Sequence, residues 1–366
     1  MNQAKVAIVG GGLAGLYSAR LLTKAGIDFV LLEARDRLGG RILTADASGR
    51  WSEDGFDLGP SWYWPHMQPA IGALVSELNL PSFAQNGDGD VVFERMSRES
   101  PQRYRGAGGE PQSMRLAGGT AALVRALARE LPADKLVLGA FVTAMNLSSG
   151  GVELSISHAG GARETIAAQR TIVALPPRLL EATVSFTPAQ EPETARRWRE
   201  TATWMAPHAK FFAIYDRPFW REAGLSGTAQ SMVGPMVEIH DATTASGRAA
   251  LFGFLGVGAE QRASLGDEAL THACVTQLTR IFGPEAANPS ATLFKDWTAD
   301  LLTATPADRQ GGGHLVATDS RWVHGPWQER LSLAGSETSP SEPGYLAGAV
   351  AAAERAVAEI LAGLKP

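Results

Sequence analysis

Four residues at fixed spacing carry the first chemical signal in this 366-residue chain. Gly10, Gly12 and Gly15 stand in G-x-G-x-x-G register directly after the run Lys5 to Val9, and Glu33 follows 21 positions after Gly12. A short β-branched run reads as a buried parallel strand. Gly10 permits a tight turn, Gly12 lets backbone approach a pyrophosphate, and Gly15 lets helix and strand pack closely. A helix over about Leu13 to Ala25 then presents free N–H groups and a positive dipole end to phosphates. Glu33 closes the second strand in AGIDFVLLEA, where ribose hydroxyls need an acceptor. Strand, helix, strand and terminal acid together predict a dinucleotide site.

The second signal is Lys210, in TWMAPHAKFFAIYDRPFW, a run otherwise apolar on both sides of it. A lysine on an apolar strand is expensive to bury without a partner. It is therefore a candidate for chemistry, the alternative being a strand-end lysine that snorkels to solvent. Other chemistries find no support. The seven histidines are scattered, with no H-x-x-x-H or carboxylate cluster at metal-ligand spacing. No G-x-S-x-G nucleophile elbow occurs. The single cysteine, Cys274, excludes an internal disulfide framework and a multi-thiolate metal site, and fits a reducing cytoplasm. A net charge of -5 without a basic stripe speaks against nucleic acid.

The extension EARDRLGGRILT separates flavin from nicotinamide. It places Arg35, Arg37 and Arg41 just past the acid, around the pair Gly39 and Gly40, and nothing in the nicotinamide fingerprint requires it. This stretch resembles the FAD-binding N-terminus of the flavin-containing amine oxidase family (monoamine oxidase and L-amino acid oxidase-like). The resemblance implies that Arg41, after Gly40, reaches the pyrophosphate, with Arg35 nearby. Arg37 is expected to be a solvated, charge-paired turn residue.

The likeness continues along most of the chain. DGFDLGPSWYWPHMQ resembles the second flavin contact, which would put Gly59, Pro60, Ser61 and Trp62 beside the isoalloxazine ring. In MRLAGGTAALVRALARELP, Gly118 and Gly119 open a returning helix, and Val142 matches a residue whose backbone meets the adenine. RTIVALPPRLL ends a strand at Pro176 and Pro177, where the family's chain leaves for the substrate domain. ERLSLAGSETSPSEPGYLAGAVAAAERAVAEIL is similar to the C-terminal flavin motif. There Gly335, Ser336 and Glu337 would meet the ribityl chain, while Gly344, Tyr345 and Leu346 would lie by the pyrimidine end. The helix that follows would stabilise an anionic reduced flavin with its N-terminal dipole.

The same resemblance gives Lys210 a water that bridges it to the flavin N5. It makes Tyr345 one wall of an aromatic cage for the amine. Alignment of GGGHLV with the family's glycine turn puts His314 at the second wall, with Trp297, Trp322 and Trp327 as competitors. Trp297 is also placed among the flavin contacts. Some members attach FAD through a cysteine at that turn. This chain has Gly313 and its neighbours there, so its FAD is expected to be non-covalent, and Cys274 is expected in a helical core.

These motifs need two interleaved domains, consistent with a prior of roughly 150 residues per compact unit. The expected fold is α/β, a Rossmann-like FAD-binding domain interleaved with an α+β substrate domain built on a mixed antiparallel sheet with helices. Residues 1–65, 110–177 and 290–366 would form the first, and residues 66–109 and 178–289 the second. MVEIHDA and AALFGFLGV fit strands, and GDEALTHACVTQLTRIFG fits a covering helix. The chain is short for the family, so extra lids and membrane tails are not expected. YLAGAVAAAERAVAEILAGL is interrupted by Glu354, Arg355 and Glu359 and reads as a soluble helix rather than the roughly 20 apolar residues of a membrane span.

The expected reaction is FAD-dependent oxidation of a C–N bond, with oxygen as acceptor, an imine as product and hydrogen peroxide released. The substrate would be an amine, the alternative being an L-α-amino acid. An amino acid calls for an arginine fork on its carboxylate, yet GPSWYWPHMQ has none after the second flavin turn. Arg178, Arg309, Arg321 and His66 are the other groups that could serve. A flavin desaturase, a flavin-free binding protein of the GDP-dissociation-inhibitor type and a nicotinamide dehydrogenase are more distant readings. A homodimer is left open.

Overall fold

The architecture comes from a computed structural model, which describes residues 2–106, 112–311, 313–318 and 321–364. The first sheet runs Ser185–Thr187, Ala140–Ser148, Gly151–His158, Arg163–Val173, Asn2–Val9, Phe29–Leu32, Leu136–Val137. Its nucleotide half is parallel, with Asn2–Val9 between Arg163–Val173 and Phe29–Leu32. The long strand Arg163–Val173 also takes Leu331–Leu333 in parallel at its end. Helix Leu13–Lys24 packs on the C-terminal helix Leu346–Leu364, and alanines 347, 349, 353 and 356 let the two approach in one buried cluster.

The second sheet has the order Ala291–Asp296, Ala209–Tyr215, Ala249–Leu255, Met236–Asp241, Leu225–Ser231, Asp90–Glu94, Gln102–Tyr104. Every pairing is antiparallel except that of Leu225–Ser231 with Asp90–Glu94. Helix Asp267–Phe282 covers one face with Leu270, Cys274, Leu278 and Ile281. This α/β arrangement of a Rossmann-like unit with a mixed antiparallel sheet is the fold expected from the sequence.

Sheet membership departs from the expected boundaries in three places. Residues 177–200 go with the first sheet: Ser185–Thr187 pairs with Ala140–Ser148, and Trp198 is buried in the same core as Val9 and Leu32. Ile71, Leu74 and Val75 of helix Pro69–Glu77 join the core beneath helix Leu13–Lys24. Strand Ala291–Asp296 belongs to the second sheet, because it pairs with Ala209–Tyr215. In each case apolar residues follow the partner that buries them, not their neighbours in sequence. The break expected between 109 and 110 lies outside the described residues.

Candidate active site

A cavity of about 510 Å³ runs along the carboxyl edge of the first sheet and ends against the second. The glycine loop forms its first end. Gly10, Gly12 and Gly40 line it, while Gly15 stands behind them. A Cβ on Gly15 would lie 1.9 Å from the Gly10 carbonyl oxygen, so only glycine permits that helix–strand approach. Glu33 is buried here and accepts from the backbone N–H groups of Gly11 (2.6 Å) and Arg35 (2.8 Å). Arg35 lines the same end and donates to Asp300 and Thr303, and Val142 closes the wall. Arg37 is not the solvated residue expected. Its guanidinium donates to the carbonyls of Leu38, Gly40 and Ile42 and fixes the glycine turn from within.

At mid-cavity, Arg41 and Glu337 make a bidentate pair at 2.6 and 3.1 Å. Arg41 and Ser336 line the space, whereas Glu337 and Gly335 lie behind it. The Glu337 side chain is fully buried. Burial alone would raise its carboxyl, but Arg41 and the backbone donors hold it below the ordinary carboxylate range. Glu337 also accepts from the Trp204 backbone N–H, and Arg41 donates to the Trp204 carbonyl. The pair therefore anchors Trp204.

Trp204 matters because its ring stands 5.6 Å from Tyr345, 40° from parallel. The Gly344 conformation makes room for it: φ is +89°, and a Cβ there would meet the indole Cγ at 2.4 Å. Tyr345 and Leu346 open the C-terminal helix, and Gly344, Tyr345 and Trp204 all line the cavity. Trp204 and, edge-on at 6.4 Å, Trp64 are the cavity-lining rings beside Tyr345, and His314, expected there, is not among them. His314 is exposed, does not line the cavity, and packs against Trp204 with ring centres 4.6 Å apart and planes tilted by 43°. Trp322 and Trp327 are core residues, the latter donating to the Pro188 carbonyl. Trp297 does line the cavity and donates to the Leu58 carbonyl. The overlooked signal for Trp204 was its place six residues before Lys210 in a stretch already singled out.

Lys210 lies on strand Ala209–Tyr215, buried to 5% exposure. Its ammonium donates to the carbonyls of Asp57 (3.2 Å) and Gly59 (2.5 Å) and to Ser61 Oγ (2.9 Å). It faces the rings of Phe252 and Phe254 at 4.7 and 5.1 Å. Burial, reinforced by nearby Arg115, pushes its pKa down to about 7 against the opposing pull of Asp57. Lys210 thus ties the second sheet to the turn of Gly59, Pro60, Ser61 and Trp62, all four of which line the cavity. His208, two residues earlier on the same face, also lines it, and burial lowers its imidazole pKa. Its Nδ1 is buried without a partner.

Of the acidic, lysine and arginine side chains lining the cavity, Glu33, Arg35 and Arg41 come from the glycine-loop stretch, and Lys210 and Glu238 from the second sheet, which contributes no arginine among the described residues. Arg178 is held by Asp308, and Arg178, Arg309, Arg321 and His66 are absent from the lining. Among the described residues no cluster could hold a metal ion, and no helix is long and apolar enough to cross a membrane. An extended dinucleotide fits this shape: open glycine backbone and a carboxylate at one end, an arginine midway, and an aromatic chamber at the other.

Residues 8–78 match an NAD(P)-binding Rossmann-like domain, and residues 100–361 match the flavin containing amine oxidoreductases. A protein assigned as a flavin-containing monoamine oxidase in Mycobacterium tuberculosis is 28% identical over 98% of this chain and 96% of its own length. Putrescine oxidase of Kocuria rosea is 24% identical over 97% and 95%. A solved putrescine oxidase variant superposes with a TM-score of 0.80 at 23% identity, covering 99% of both chains. Cyclohexylamine oxidase of Brevibacterium oxydans gives 0.78 at 19%, over 99% and 100%. These structural likenesses speak for the fold, and the match over residues 100–361 for the family: the chain belongs to the flavin-containing amine oxidoreductases and is an FAD-dependent enzyme.

Proposed function

We propose that the enzyme oxidises the C–N bond of an amine to an imine, which hydrolyses to a carbonyl compound and ammonia, and passes the electrons to oxygen to give hydrogen peroxide. The carrying observation is the Tyr345–Trp204 ring pair, which lines the same cavity as the buried Lys210. FAD, when bound, accepts the hydride equivalent, so the protein's task is binding and orientation. Two ring faces can hold an amine with its reactive C–H fixed, which removes orientational entropy from the step. Such a pocket suits the neutral amine. Lys210, with a pKa about 7, can hold or release a proton at Nζ near neutral pH, where general acid–base groups work best.

An L-α-amino acid is the weaker reading, although an L-amino acid dehydrogenase of Synechocystis is 22% identical over 97% of this chain. On the second-sheet side its carboxylate would meet Glu238, and the cavity's two guanidinium groups, Arg35 and Arg41, are already paired with Asp300 and Glu337, so no free fork awaits it. Cofactor contacts are assigned to Gly10, Gly12, Glu33, Arg35, Gly40, Arg41, Gly59 to Trp62, Val142, Trp297, Ser336 and Gly344 to Leu346. Gly15, Gly335 and Glu337 act behind them. The first sheet is assigned to FAD and the second to the substrate.

Non-covalent FAD is supported by the sole cysteine, Cys274, which is buried in the second core away from the cavity. Acid should release all of the flavin; colour that stays with the precipitate would contradict this. A cytoplasmic enzyme is the setting we assign. Under anaerobic conditions an amine should bleach the bound flavin, and air should restore it with one peroxide per cycle. Restoration only by an artificial acceptor would remove the oxidase half of the reading.

A further inference from the structure

A second cavity, of about 740 Å³, lies beside the first, and among the described residues the two linings share none. Trp62 of the first donates to Gln85 of the second at 2.8 Å and meets its His240 edge-on at 4.7 Å. Arg115 lines the second cavity and is buried to 5% exposure. Its guanidinium stands over the Phe83 ring at 5.1 Å and donates to the carbonyls of Thr243 (2.8 Å) and Ala242 (3.1 Å). A guanidinium carries five N–H donors. Two are used in these bonds, which leaves three without a partner among the described residues.

No carboxylate is among the hydrogen-bond partners of Arg115. Asp57 and Asp241 pull on its charge from further away, and both are committed elsewhere. Asp57 accepts from Thr44 and Thr120, and Asp241 from Trp220, Arg221 and the Thr243 backbone N–H. Burial outweighs their pull and lowers the guanidinium pKa from its ordinary value. A buried ion needs a counter-charge or a full set of hydrogen bonds to offset its lost hydration. Thr243 adds a second unmet group, because it lines the same cavity and its hydroxyl is buried without a partner. Arg221 lines the cavity too, with only its Nε engaged by Asp241. Among the described residues the lining has one carboxylate, Asp88, and it is exposed. Water can fill the donors, but only an anion balances the charge.

We propose that this second cavity binds a small organic carboxylate through Arg115, with Arg221 and Thr243 as further donors. A guanidinium edge matches the two oxygens of a carboxylate, and the Phe83 ring offers an apolar wall to the organic body. The test adds acetate, succinate or phosphate to the FAD-loaded full chain, replacing chloride so that ionic strength stays constant. Melting temperature is read against anion concentration. Succinate should raise it with saturation, as a ligand that binds only the folded chain does, at half-saturation on the order of 1 mM. Arg115→Gln should raise that half-saturating concentration about tenfold or more, Arg221→Gln about fivefold and Thr243→Val about threefold. The last two report on the site even if Arg115→Gln does not fold. A wild type without a saturating shift overturns the proposal. So does a half-saturation unchanged in both Arg221→Gln and Thr243→Val, which would put the anion elsewhere. Phosphate binding more tightly than either carboxylate overturns the ligand class. None of these readouts requires turnover, so their failure leaves the amine-oxidation reading untouched.

Discussion

At the glycine-loop end of the cavity, most partners sit between positions 10 and 42, with Arg35 alone reaching out to Asp300 and Thr303. Gly11 and Arg35 donate backbone N–H groups to Glu33, and Arg37 ties Leu38, Gly40 and Ile42 together. At the reacting end, Lys210 reaches Asp57, Gly59 and Ser61, Trp204 meets Tyr345, and Arg41 crosses to Glu337. One end is local, polar and self-satisfied. The other is assembled from distant segments, and burial lowers the Lys210 pKa while Arg41 holds the Glu337 carboxyl down. On the proposed reading the contrast separates two jobs: a generic grip on a nucleotide, and an aromatic chamber whose few charges decide the chemistry.

The largest effect should come from breaking the local end. Glu33→Ala removes the acceptor of two loop N–H groups and, on the proposed assignment, the ribose partner too, so FAD affinity should fall by more than tenfold. The flavin-to-protein ratio after gel filtration measures it, and a fully flavinylated variant would deny Glu33 that role.

Lys210→Met should do the reverse, keeping FAD while slowing turnover more than tenfold; unchanged kinetics would take Lys210 out of the mechanism. The same variant has a stability signature. In the fold the lysine pKa is pushed down to about 7 from 10.5, so between those values the unfolded chain binds more protons. Stability of the wild type relative to the variant should therefore rise as pH increases across that window, by on the order of a few kcal/mol. Chemical denaturation at several pH values reads the difference, and a flat line would contradict the burial of a charged amine.

Gly344→Ala tests the cage geometry. A methyl group at φ +89° facing the Trp204 indole should cost about 1–3 kcal/mol and lower kcat. A melting temperature equal to that of the wild type would show that Trp204 moves aside freely. The smallest contrast compares the two adjoining rings. Trp204→Ala should raise KM about tenfold, while His314→Ala, exposed on the outer side of Trp204, should stay within a few-fold. Equal effects would restore His314 to the site.

The local end was legible in the sequence because a turn, a helix N-terminus and a terminal acid leave their spacing in one continuous stretch. Tyr345 was legible through the motif around it, and Lys210 through its apolar neighbours. Trp204 was hidden because its partner is 141 positions away, and what joins them is the missing Gly344 side chain. Glu238 gave no signal either, since MVEIHDA reads simply as a strand; its meaning depends on register with Phe254 and Lys210. The expected boundary at 290 failed for a similar reason. Strand Ala291–Asp296 is recruited by pairing with Ala209–Tyr215, and sheet pairing is a long-range choice that local pattern does not record.

The most direct test of the central claim is peroxide release from the purified yellow protein across amines, polyamines and L-amino acids. The account predicts turnover of amines and none of amino acids, because the second sheet presents Glu238 and no arginine to the cavity, and Arg41 is already paired with Glu337. Efficient oxidation of L-amino acids would contradict it.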